Sequence, residues 1–242
     1  PGNQDIVDLI CSVAKSVNLG KFDCIIHDCE NSRFLNAGKT RRGTEVLYNA
    51  CLEPTDGYLV FSDIKFHYFA GYSNPVKNFV PGLCAYSTAE QNHSLTFDDG
   101  SVYGAHPWHP DPACRIQPLA EDQLEAMERI VEDRPVWALG TISSDRQTYW
   151  AQFGLAESVC AEAFGLVNEN TIFPVPSADR MIVSPGGNPH DVDLYIAQRA
   201  LELTKAVISD GGELLFISAC TLGIGSDRTI ENFYKPLTQP LD

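Results

Sequence analysis

The sequence predicts an α/β fold in two lobes, with parallel or mixed sheets, flanking helices and the active site between the lobes. Three observations carry that expectation. The 242 residues are 44% hydrophobic, enough to bury a full core. Short apolar runs of strand type alternate with amphipathic helical stretches along the chain. In the last third, a strand, a Gly-rich loop, a helix and a second strand follow one another. That order builds a right-handed crossover with a parallel sheet.

Taken in order, "DIVDLICSVAKSVNL" (5–19) places Ile6, Leu9, Ile10, Val13 and Val17 on one helical stripe, with Gly20 set to end the helix. "FDCIIHD" (22–28) and "GYLVFSDI" (57–64) read as strands. "HYFAGYSNPVKNFVPG" (67–82) reads as a stiff loop. Pro75 and Pro81 oppose helix interiors and central strands, while Gly71 and Gly82 mark sharp turns or close backbone approach. "LAEDQLEAMERIVED" (119–133) is an acidic amphipathic helix and "RPVWALGTI" (134–142) begins a strand, which suggests a boundary between lobes 1–133 and 134–242. Finally, "DRMIVS" (179–184) is a strand, "VDLYIAQRALELTKAVI" (192–208) a helix closed by "SDGG", and "ELLFISA" (213–219) a strand.

Charge and cysteines narrow the function classes. A net charge of −15 argues against non-specific nucleic-acid binding, which needs a basic face, and against an anionic membrane surface. An anionic ligand must be held by local cations or N–H groups against the overall field. No apolar run reaches the ~20 residues of a membrane span. The eight cysteines are scattered without a Cys-x-x-Cys pair. They read as reduced thiols of a cytoplasmic protein.

Three constellations could carry chemistry. His67 and Lys77 stand ten residues apart, and His93 follows in "EQNHSL". Imidazoles supply a base near neutral pH or a metal ligand, and a lysine in apolar company can anchor a cofactor covalently. The plain alternative is a half-buried loop histidine and a surface ammonium. "AHPWHPDPAC" offers His106, His109, Asp111 and Cys114, either as zinc or iron ligands or as a proline-stiffened connector. "SPGGNPHD" before a helix is either an anion-binding loop or a tight turn.

The order of "HYFAGYSNPVKNFVPG", "NHSL" and "IVSPGGNPHDVDLYIAQRALELTKAV" resembles the nickel-dependent lactate racemase family, as does "HDCENSRFLNAGKTRRGTEVLYN" (27–49) with its Thr-x-Arg-Gly-Thr. The resemblance spans nearly the whole chain. It implies an isomerase, a racemase or epimerase of a 2-hydroxy acid, working by reversible hydride transfer to a nickel-pincer nucleotide. Lys77 would hold the pincer through a thioamide and His93 would ligate nickel. His67 would be one of two general acid/base histidines, and Tyr195 and Arg199 would meet the substrate carboxylate. Partners implied are a small 2-hydroxy acid and the proteins that make and deliver the pincer.

The chain departs from the family pattern at named places. Asn74-Pro75-Val76 stands where members carry Gly-Gly-Arg, and Ile196 and Arg199 stand where lactate racemase carries Gln and Lys. The Ile196 and Arg199 difference, an amide lost with a cation kept, predicts a hydroxy acid other than lactate, or at least a reshaped pocket. The family's His-Arg-Pro and Asp-x-Thr-Arg motifs do not occur in the 242 residues, so the chain reads as a middle-to-C-terminal portion of a longer enzyme. The competing readings are a zinc- or iron-dependent hydrolase or lyase using His67, His93, His106 and His109, and a non-catalytic homologue that binds an anion or nucleotide.

Overall fold

A computed structural model describes residues 2–53, 55–98, 100–101, 104–144, 147–227 and 230. The fold is mixed α/β, as the sequence predicts, and divides into two compact units, 1–170 and 171–242.

The first unit opens with α1 (Gly2–Ser16), then pairs β1 (Phe34–Lys39) with β2 (Glu45–Asn49) in an antiparallel hairpin. β3 (Tyr58–Asp63) leads into a second, short hairpin of β4 (Lys65–His67) and β5 (Gly71–Ser73). Three helices follow: α2 (Pro75–Phe79), α3 (Tyr86–Ser94) and α4 (Pro118–Val131). β6 (Val136–Ser144), β7 (Gln147–Leu155) and α5 (Ala156–Thr171) complete the unit. β3 pairs parallel with β6, and β6 antiparallel with β7. The expected division near 133 thus falls between α4 and β6, inside the first unit.

Two cores hold this unit. In one, Val46, Tyr48, Val60, Val76, Phe79, Ala126 and Ile130 pack α2 and α4 against β2 and β3. In the other, Val159, Cys160, Ala163 and Phe164 of α5 meet Ile64, Tyr72 and Ala138. Gly140 makes that second contact close, since a Cβ there would lie 2.6 Å from a Val159 methyl. Alternation along β3 turns Tyr58 and Val60 inward and Leu59 and Phe61 outward, the period of two that a strand requires.

The second unit contains β8 (Ala178–Val183), α6 (Leu194–Ala197), α7 (Arg199–Thr204) and β9 (Ile208–Phe216). β8 and β9 pair in parallel, as the strand–helix–strand order predicts. The expected lobe 134–242 includes positions 231–242, which lie outside the described residues.

Several local expectations change. The 22–28 run forms no strand; His27 ties it down instead, its Nε2 3.0 Å from the Cys84 carbonyl and its Nδ1 2.9 Å from Asn49. α1 ends through Asn18 rather than Gly20. Asn18 takes φ 54°, and the Leu19 N–H reaches the Ala14 carbonyl in a Schellman closure. The expected helix 192–208 is interrupted at Gln198, and the "SDGG" set to close it is already part of β9. The 67–82 stretch is not a loop throughout, because Asn74 and Pro75 start a helix there.

Candidate active site

The site begins with glycine. Gly71 adopts φ +74°, and a Cβ on it would fall 1.8 Å from the Ala105 carbonyl oxygen, so no other residue fits this hairpin strand. With Gly71 opposite His67 in the β4–β5 ladder, residues 68–70 must turn tightly. The Phe69 ring then becomes the meeting point of the three residues singled out from the sequence. His67 stands edge-on to it with ring centroids 4.5 Å apart, His93 at 5.2 Å, and the Lys77 ammonium lies over it at 5.7 Å.

Each partner is placed by a different element. Lys77 rides on α2, whose first turn is set by Asn74. That buried side chain accepts the Val76 N–H at 2.8 Å and donates to the Tyr72 carbonyl, and Pro75 occupies the first helical position. The departure from Gly-Gly-Arg before Lys77 therefore has a local meaning: Asn-Pro is a helix start. The Gly82 N–H closes the other end on the Lys77 carbonyl at 2.9 Å.

His93 sits in the last turn of α3, not on a loop. Its Nδ1 donates to the Ala89 carbonyl at 2.6 Å, which leaves Nε2 as the bare ring nitrogen. Burial pushes the imidazole below the ordinary histidine value, and the nearby Lys77 charge pushes the same way. A neutral ring with a fixed tautomer is the form that binds a metal. Its neighbour Asn92 anchors α3 to α4 through the Leu119 carbonyl, the Asp122 carboxylate and the Gln123 amide. Asp122 is fully buried but accepts from Thr40, Thr44 and Asn92, so its carboxylate oxygens are supplied with donors.

The other two constellations are engaged locally. The buried His109 accepts the Asp111 N–H at Nδ1 and meets the Asn168 amide at Nε2, while His106 accepts the Trp108 N–H. Both rings hold their own segment against α5. Among the described residues, no three His, Cys, Asp or Glu side chains gather as a metal site. After the glycine loop, the Asp193 carboxylate already accepts the Ile196 N–H at 2.7 Å, which puts a negative group where an anion was expected. In the second unit, the Arg199 guanidinium lies over the Tyr195 ring at 5.8 Å.

Sequence reasoning passed over two residues. Phe69 lies inside the 67–82 stretch, where nothing in its local sequence sets it apart from the other aromatics. Gln117 is buried, directly precedes Pro118, and donates to the Phe69 carbonyl at 2.6 Å. Its place just before a proline-led helix was a cap signal.

Residues 10–104 match the family described as the lactate racemase N-terminal domain. The lactate racemase of Thermoanaerobacterium thermosaccharolyticum is 24% identical over 213 residues, covering 87% of this chain and 47% of its own length. That of Lactiplantibacillus plantarum is 23% identical, covering 86% of this chain and 46% of its own. The chain thus spans about half the length of the curated relatives it matches. The lactate racemase apoprotein structure from T. thermosaccharolyticum superposes with a TM-score of 0.71 at 21% identity, covering 87% of this chain and 49% of that one. A Thermotoga maritima protein superposes at 0.52 with 13% identity, covering 74% of this chain and 48% of that one.

Proposed function

We propose that this chain, similar over residues 10–104 to the lactate racemase N-terminal domain and to two lactate racemases at 24% and 23% identity, is a member of that family and serves the interconversion of 2-hydroxy acid enantiomers with a nickel-pincer nucleotide. The observation that carries the reading is the gathering of His67, Lys77 and His93 around one aromatic ring.

The residues fit the cofactor. Lys77 is a half-buried primary amine on a capped helix, suited to a covalent tether. His93 offers a bare Nε2, fixed by its Nδ1 bond to Ala89. When bound, the nickel-pincer nucleotide supplies the acceptor for the α-hydrogen, which is far too weakly acidic beside a carboxylate to leave as a proton. The chain's own part is proton handling and orientation. The Ala70 N–H lies 3.3 Å from His67 Nδ1 and orients the ring. As the imidazolium, His67 would deliver a proton to the oxygen of a planar 2-keto acid and become neutral, and in the reverse direction the neutral ring would take the hydroxyl proton. For Tyr195 and Arg199 we propose carboxylate recognition. Ile196, in place of an amide side chain, supports a substrate other than lactate. The free cysteines suit a reducing cytoplasm, where the pincer-making proteins would deliver the cofactor.

The experiment is co-expression with that machinery, followed by peptide mass spectrometry and metal analysis. The expected result is stoichiometric nickel and a heavy adduct on Lys77, both lost in Lys77→Arg. Stoichiometric zinc with unmodified Lys77 would overturn the reading. Because the family's His-Arg-Pro motif is not in this chain, modification of Lys77 is the primary readout and turnover the second.

A further inference from the structure

Phe69 sits in a three-residue turn and is half-buried, its ring held edge-on by Tyr68 at 4.6 Å as well as by His67 and His93. Within the hairpin, its neighbours are fixed by the Ala70 N–H on His67 and the Tyr72 N–H on the Ala70 carbonyl. From outside the hairpin comes the short bond from Gln117 Nε2 to the Phe69 carbonyl, 2.6 Å long and wholly out of solvent on the Gln117 side. The other end of the same amide is also spoken for. Gln117 Oε1 accepts the Ala120 N–H at 2.9 Å and caps α4.

α4 is also the helix that holds α3. Its Leu119 carbonyl, Asp122 and Gln123 all bond Asn92, the residue before His93. The first turns of α4 thus reach both halves of the site, one through Gln117 to Phe69 and one through Asn92 to His93. A ring closing against an imidazole at 5.2 Å needs both supports in register.

We propose that Gln117 is a positioning residue: its buried amide couples the start of α4 to the Phe69 carbonyl and so sets the aromatic partition between His67, Lys77 and His93. The proposal rests on the racemase reading for its purpose, though not for its test. Gln117 is fully buried and bonds the Phe69 carbonyl, so it acts through that turn. A group that fixes the geometry of others by a fraction of an ångström changes turnover more than binding.

The discriminating variant is Gln117→Asn. It keeps a capping amide for α4 but is one methylene too short to bond Phe69 as well. Gln117→Met keeps length and apolar bulk while removing both bonds. In the full chain without cofactor, NMR contacts between the Phe69 ring and the His67 and His93 rings are read alongside urea unfolding. In both variants we expect the Phe69–His93 contact, 5.2 Å between ring centroids in the parent, to weaken, because the Phe69 carbonyl is no longer held. In the Asn variant we expect unfolding close to that of the parent. In loaded enzyme, kcat should fall about tenfold or more with KM within about twofold. Ring contacts at parent strength in either variant overturn the proposal and leave Gln117 a helix cap. Weakened contacts in a protein whose Lys77 is never modified sustain the positioning role and overturn the racemase reading instead.

Discussion

His106 shows how much one side chain can contribute to the acid limit of the fold. Its ring is completely buried, packed on Trp108 and Phe164, and burial pushes it down to about 3. Nδ1 accepts the Trp108 N–H, so the neutral ring carries its proton on Nε2, where it meets no acceptor among the described residues. In the unfolded chain the same imidazole takes its proton near 6.5. Stability from this residue is whole above that value and drains away as pH falls toward the folded value, because the unfolded state binds a proton the native state refuses. The loss should be about 2 kcal/mol between pH 6.5 and 5. His93 adds to it with the same sign. Urea unfolding at the two pH values measures the slope. His106→Phe should flatten it by that amount whatever it does to stability at pH 7, and an unchanged slope would contradict the account.

At the level of elements, the 67–82 stretch separates what the sequence announced from what only packing decides. Gly71 and Gly82 were legible because a missing Cβ is a local fact. At Gly82 an added Cβ would come within 2.5 Å of the Asn78 carbonyl. The helix carrying Lys77 was not legible, since Asn-Pro reads equally as a turn or as a cap with its first residue, and only burial of Val76 and Phe79 in the core chooses the helix. The run at 22–28 failed for the opposite reason. Its apolar pattern suits a strand, but a strand needs a ladder partner, and His27 fixes the segment through side-chain bonds instead. The helix expected over 192–208 had the right periodicity, yet periodicity does not say where a helix is interrupted. His67, Lys77 and His93 were legible as one constellation, but the ring that gathers them was not, because Phe69 is brought there by a turn that Gly71 closes through tertiary contact. Two substitutions check the hairpin–helix account by chemical denaturation. Asn74→Ala removes a buried cap and should cost about 1 kcal/mol. Gly71→Ala meets both a positive φ and the Ala105 carbonyl, and should cost about 4 kcal/mol or more, or prevent folding outright. Equal effects from the two would show that the close approach at Gly71 is not what fixes the turn.

For the molecule as a whole, the dominant electrostatic fact is an excess of 32 acidic over 17 basic side chains, a net charge of −15. Several of the basic groups are already committed to carboxylates. Arg41 and Arg129 pair with Glu125, Arg42 with Asp98 and Glu121, and Arg134 with Glu53. On the proposed reading the substrate, a 2-hydroxy acid, carries its own carboxylate, so it would approach such a chain against a repulsive field and be held only by cations close to it. Salt reaches these two contributions unequally. The long-range repulsion extends over a Debye length of about 30 Å at 0.01 M ionic strength but only about 8 Å at 0.15 M, whereas contacts made within a half-buried site are screened far less. Raising ionic strength across that range should therefore raise kcat/KM for the hydroxy acid through a lower KM, with kcat nearly constant. An enzyme steered toward its anion by a basic surface shows the reverse. Racemisation assays in a non-binding salt series measure this directly, and a KM that climbs with salt would mean that local cations, Arg199 foremost among those proposed, outweigh the field of the whole chain.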